Sequence, residues 1–174
     1  MNKIYSTILL FTLAVLLSSC LWGGEGMLIV DDGHKKADDR MKQISEAIEN
    51  DNREVLPAMF SRQALAEADN FEENLDALFG YVLGDIQSWK RAGAFGGAEG
   101  KNVDGTGNHT KEFEAIFILS TSEQEYHIAI YECTIDVANP DNVGLYSFCV
   151  ISASDYTDTE HSYWGNREAG INIG

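Results

Sequence analysis

The stretch Glu125–Ser152, EYHIAIYECTIDVANPDNVGLYSFCVIS, decides the fold. Two runs rich in β-branched and aromatic residues flank Asn139-Pro140-Asp141-Asn142. Proline presets φ, and Asn and Asp side chains hydrogen-bond their own backbone, so the cluster marks a turn. The flanks alternate at period two, which predicts an antiparallel hairpin. Centred near Pro140–Asp141, that hairpin pairs residues whose numbers sum to about 282 and sets Cys133 opposite Cys149. A disulfide across such a close pair and two buried thiols acting as small hydrophobes both fit this register.

Working outward, Lys111–Thr121 (KEFEAIFILST) reads as the preceding strand, joined through Ser122–Glu123 to Glu125–Val137 with a pairing sum of about 245. The two registers agree on faces. Phe113, Phe117, Leu119, Tyr126, Ile128, Ile130, Tyr146 and Phe148 share one side; Ile116, Ile118, Ala129, Tyr131, Cys133, Leu145, Cys149 and Ile151 share the other. Both sides are apolar, whereas a sheet open to water on one side is polar there. Either another segment covers the second face, or two copies pack back to back as a homodimer. Ile86–Arg91 (IQSWKR) reads as a first strand and Ala169–Ile173 as a last edge strand. Ala92–His109 is glycine-rich and reads as a loop with a ragged edge strand, Asp104-Gly105 being its turn. It has neither the G-x-G-x-x-G nor the G-K-[ST] pattern of a phosphate cradle.

Helices come first. Ala37, Met41, Ile44 and Ile48 recur at the spacing of one helical face, which predicts a helix from Lys36 to Asn50. Asp51 with Glu54 three residues on forms a capping-box pattern for a short helix limited by Pro57. Ser61 reads as the cap of a further turn. Asn70 with Glu73 reads as the cap of a helix whose stripe is Phe71, Leu75, Leu78, Phe79 and Val82, stopped by Gly84. Helices followed by antiparallel strands predict an α+β domain, with N-terminal helices packed on a curved sheet of four to six strands.

The chain has 174 residues and a formal charge of −16. Such acidity opposes binding to nucleic acid. With 44% hydrophobic residues it is not a disordered composition. Lys3 and the apolar run Ile4–Leu17 have the form of a secretory signal, too short to span a bilayer comfortably. The run ends in Leu17-Ser18-Ser19-Cys20, which resembles the lipobox of bacterial lipoproteins. That resemblance implies a signal peptide over residues 1–19, lipidation of Cys20 and an extracytoplasmic, membrane-anchored location. Residues 20–35 then read as a flexible tether and 36–174 as a single domain. Asp31-Asp32-Gly33-His34 with Asp38-Asp39 is a solvated tether rather than a metal site, and no cofactor is expected.

Two resemblances extend this. Lys35–Ser61, KKADDRMKQISEAIENDNREVLPAMFS, is similar to the opening helices of cystatin-like proteins of the nuclear-transport-factor-2-like superfamily. The same residues, with NPDNVGLYSFCVI and the YWG…AGINI end, resemble short bacterial lipoproteins described only as a domain of unknown function. The first implies a sheet curved into a cone with a pocket at its mouth, and no catalytic motif transfers with either.

On the helix-facing side the apolar alternation breaks at Glu132, Thr134 and Asp136, with Tyr146 expected opposite Asp136. Carboxylates on a buried face are costly unless paired or open to a water-filled cavity. Either they line the cone's mouth, with Trp89 and Trp164 as an aromatic wall, or the strand runs out past the helices. Two functions follow: binding of a small ligand or a partner protein, or isomerase/dehydratase chemistry with Asp136 or Glu132 as general base.

Overall fold

The computed structural model describes residues 24–93, 95–101, 107–156 and 167–174, without the side chains of 24–31 and of residue 101. The signal segment 1–19, Cys20, the Asp104-Gly105 turn and Trp164 lie outside the described residues. Residues 36–174 form one compact unit. The elements are α1 (Gly24–Glu49), a 3₁₀ turn (Pro57–Met59), α2 (Arg62–Glu67), α3 (Phe71–Tyr81), β1 (Ile86–Arg91), β2 (Gly96–Lys101), β3 (His109–Thr121), β4 (Glu125–Asp136), a second 3₁₀ turn (Pro140–Asn142), β5 (Gly144–Ser152) and β6 (Gly170–Ile173).

Helix α1 starts at Gly24, not at Lys36 where the tether was expected to end. Met27-Leu28-Ile29-Val30 contains no proline, and extending an existing helix adds one hydrogen bond per residue fixed. Its expected stripe is buried, with Ala37, Met41 and Ile44 at 0% exposure. Each larger side chain there contributes about 1.5–3 kcal/mol of burial. The capping expectations divide. The Ser61 hydroxyl accepts from the Ala64 N–H at 3.0 Å, as expected. Asp51 instead ends α1: at φ 48° it is left-handed, its N–H donates to Ile48 (3.1 Å), and the Asn52 N–H donates to Ala47 (2.8 Å). That is a Schellman closure with Asp where Gly is usual. Asn70 likewise supplies a left-handed residue, φ 55°, with no side-chain cap.

The sheet is curved, unclosed and mixed, in the order β1-β3-β4-β5-β6, with β2 pairing a different part of β3 from β1. The β3–β4 register is the expected one, with Ile116 opposite Ala129 and Leu119 opposite Tyr126. The β4–β5 register is not. Ile130 faces Phe148 and Ile128 faces Val150, so the pairing has slipped by four residues from the expected sum. Pro140 does not head a tight hairpin: residues 137–143 form a wider loop, closed by the Asp136 carboxylate. Its oxygens accept from the Asn139 N–H (2.9 Å) and the Asn142 amide (3.1 Å). An even slip keeps the faces, and Ile130 and Phe148 are inside at 1% and 0% exposure. A bulge between Tyr131 and Glu132 then turns Leu145 into the core and leaves Tyr146 outside the ladder.

The slip parts the cysteines. Cys133 faces Gly144, Cys149 faces Ala129, and both are free thiols. Burial pushes the Cys133 thiol up and the Cys149 thiol up to about 11, so neither is poised for exchange. β6 pairs parallel to β5, so the sheet is not wholly antiparallel. The chain returns to the starting end of β5 over residues 153–169, the length a parallel connection needs. Both described ends of that return touch the outer face. Tyr156 stacks on His127 with centroids 4.0 Å apart, and the Arg167 guanidinium lies 4.2 Å above the Tyr131 ring.

The Asp136 contacts give a pH test. The Asn139 N–H, with the Asn142 amide, holds this carboxyl below its ordinary 3.8. A depressed folded-state value contributes stability that is present above 3.8 and lost as pH falls through the lower folded value. Asp136→Ala is therefore expected to be less stable than wild type at pH 7, with the gap narrowing as the pH falls below 3.8, in urea melts across that range. A gap unchanged with pH would refute this role.

Candidate functional site

The site forms where α1 crosses the bulged end of the β4–β5 hairpin. Lys36, Asp39, Arg40 and Gln43 fall at i, i+3, i+4 and i+7, one face of the helix. Glu132 points inward from β4 beside the bulge and is 7% exposed. Arg40 meets it with two parallel bonds, Nε to Oε2 at 2.6 Å and Nη2 to Oε1 at 2.7 Å. Nη1 donates to the Gln43 side-chain oxygen at 2.8 Å. The buried carboxylate that the sequence left unexplained thus has a fork-on-fork partner.

The apolar part of the wall comes from the first 3₁₀ turn. Met59 and Phe60 are held against β5 because the Ser61 N–H donates to the Leu145 carbonyl at 2.9 Å. That approach depends on Gly144 at φ +132°, where an added Cβ would lie 2.7 Å from the Ser61 nitrogen. Between helix, turn and hairpin lies an open cavity of about 450 Å³, which Thr134 and Val143 also line. Thr134 spends its hydroxyl on the Lys111 carbonyl, 3.2 Å away.

Among the described residues, the other expected site residues do not gather here. Asp136 closes its own loop and is half-buried there. The Tyr146 hydroxyl donates to Glu67 at 2.9 Å, which raises its pKa, and its ring packs edge-on against Tyr131. Trp89 pairs with Leu119 toward the other end of the sheet, its ring edge-on to Phe117. No carboxylate–tyrosine pair of the expected set is assembled for proton transfer.

A second polar cluster sits on the outer face and was not anticipated. Arg167 donates to Glu114 at 2.7 Å while stacked on Tyr131, whose hydroxyl bonds Glu112. Burial raises the pKa of Glu114 against the pull of Arg167, and burial with the Glu112 bond pushes Tyr131 well up. A void of about 140 Å³ adjoins it at Gly96–Ala98. Arg40 and Arg167 carry no local motif, since their partners lie 92 and 53 positions away. The one available signal was Glu132 itself: a carboxylate on a buried face requires a cation.

Among the described residues, no group of three His, Cys, Asp or Glu side chains converges to hold a metal ion. No described helix is long and apolar enough to cross a membrane. No curated protein matches the chain. The family described as a domain of unknown function, DUF5104, matches residues 43–153, from the C-terminal end of α1 through β5 and including Glu132 but not Arg40, and the chain belongs to that family.

Proposed function

We propose that this chain is a lipid-anchored, extracytoplasmic bacterial protein that binds a small polar ligand in the cavity beside Arg40 and Glu132. The carrying observation is that cavity, about 450 Å³ and lined by charged, amide and apolar groups, within the range of ligand sites. Support for the anchor lies in Lys3, the apolar run Ile4–Leu17 and Leu17-Ser18-Ser19-Cys20, where two acyl chains would suffice for stable attachment. Helices ahead of an unclosed, curved sheet support the cone of the nuclear-transport-factor-2-like class. The outer face, where Ile116, Ile118 and Cys149 are half-buried, supports a second copy or a partner protein as a further occupant.

Isomerase or dehydratase chemistry has less support. Both Glu132 oxygens are engaged by Arg40, and Asp136, held ionised by its loop, is a weak base. Two measurements test the proposal. Cys20→Ala should move the protein from the membrane to the soluble fraction, and retention in the detergent phase would refute lipidation. The small-molecule extract of the host cells should shift the methyl signals of Met59 and Val143 in the labelled full chain. Silence of both signals would remove the ligand-binding reading.

A further inference from the structure

We infer that the cavity takes a zwitterionic α-amino acid with an apolar side chain, its carboxylate on the remaining Nη2 hydrogen of Arg40 and its ammonium at Asp39. This rests on the cavity being the binding site proposed above. An arginine has five N–H groups. Glu132 takes two of those of Arg40 and Gln43 takes one. One N–H on each terminal nitrogen is left, and with Glu132 on the Nε edge the Nη2 hydrogen lies on the terminal edge. That Nη2 hydrogen can donate a charge-assisted bond to a carboxylate oxygen placed there. The Arg40 side chain is only 19% exposed, so a ligand there would meet it largely shielded from water.

Charge balance selects the rest of the ligand. Lys36 and Arg40 are offset by Asp39 and Glu132, so the lining sums to zero in a chain of formal charge −16. A simple anion would face two carboxylates and the field of an acidic protein. A simple cation would face a guanidinium and an ammonium. A molecule carrying both charges satisfies both signs and is itself neutral. Met59, Phe60 and Val143 supply the apolar surface for its side chain.

The test uses the full chain in detergent micelles, labelled at the methionine and valine methyl groups, with three probes of one carbon skeleton. L-Leucine carries both charges, 4-methylpentanoate only the carboxylate, and isoamylamine only the ammonium. Leucine is expected to shift the Met59 and Val143 signals saturably, with the other two at least about tenfold weaker. Asp39 is exposed, so Asp39→Asn should fold; it is expected to weaken leucine about fivefold and to leave 4-methylpentanoate no weaker. If either single-charge probe matches leucine, the cavity binds but the zwitterion is wrong. If leucine shifts neither signal, the zwitterion is also wrong, and the host extract alone then decides whether the cavity binds anything.

Discussion

Arg40→Ala is expected to lower the unfolding free energy by about 3 kcal/mol, because it strands a buried carboxylate. Glu132 is 7% exposed, and both its oxygens are bonded to Arg40. Removing the guanidinium leaves a charge that water cannot fully reach. Side-chain exposures of 19% for Arg40 and 9% for Glu132 place the loss at the low end of the range for buried pairs. Against a total stability of roughly 5–15 kcal/mol, that is a large share. The double replacement Arg40→Met with Glu132→Leu should recover most of it, since two apolar side chains need no partner. Urea melts of the single and double variants form the cycle. The surface substitution Lys42→Ala calibrates it, because Lys42 makes only an exposed pair with Glu46. Should Arg40→Ala cost no more than Lys42→Ala, the pair does not hold in solution, and the cavity wall built on it goes too.

The same pair shows which parts of this molecule were legible in advance. Strand faces followed from period two, and they survived an error in register. The β4–β5 pairing sits four residues from the expected one, yet Ile130, Phe148 and Val150 are all inside, because any even slip preserves sidedness. What no alternation encodes is the bulge after Tyr131, the odd step that turns Leu145 into the core and leaves Tyr146 outside the ladder. The four-residue slip undid the expected grouping of Asp136 with Tyr146, which lies level with Tyr131 and Glu132 instead. Helix stripes were equally legible, because Ala37, Met41 and Ile44 obey a local spacing. Their ends were less so: the chain places Asp51 and Asn70 in left-handed conformations, and both residues suit that role as well as they suit capping. Arg40 and Arg167 could not be chosen from sequence, since an ion pair across 92 or 53 positions depends on tertiary placement.

Two glycines should respond to alanine with opposite signs. Gly144 stands at φ +132°, a region that side-chain-bearing residues rarely enter. An added Cβ would lie 2.7 Å from the Ser61 nitrogen and 3.0 Å from the Met59 carbonyl oxygen. Both are backbone atoms, so a rotamer change cannot relieve the contact. The Ser61 bond to Leu145 and the parallel bridge from Phe60 to Leu145 would have to yield. Strain and lost docking together are expected to cost about 3 kcal/mol. The cavity should open at the same time, because Gly144, Met59 and Phe60 line it. Gly80 lies inside α3, and a Cβ there would meet nothing within 4 Å. Gly80→Ala should therefore stabilise by about 0.5 kcal/mol, through the helix's preference for alanine and a less entropic unfolded chain. Urea melts of the two variants, with the Met59 methyl signal as a local probe, read both effects. A gain at Gly144, or a Met59 signal indifferent to its replacement, would mean that the first 3₁₀ turn does not dock on β5 and that the cavity lacks that wall.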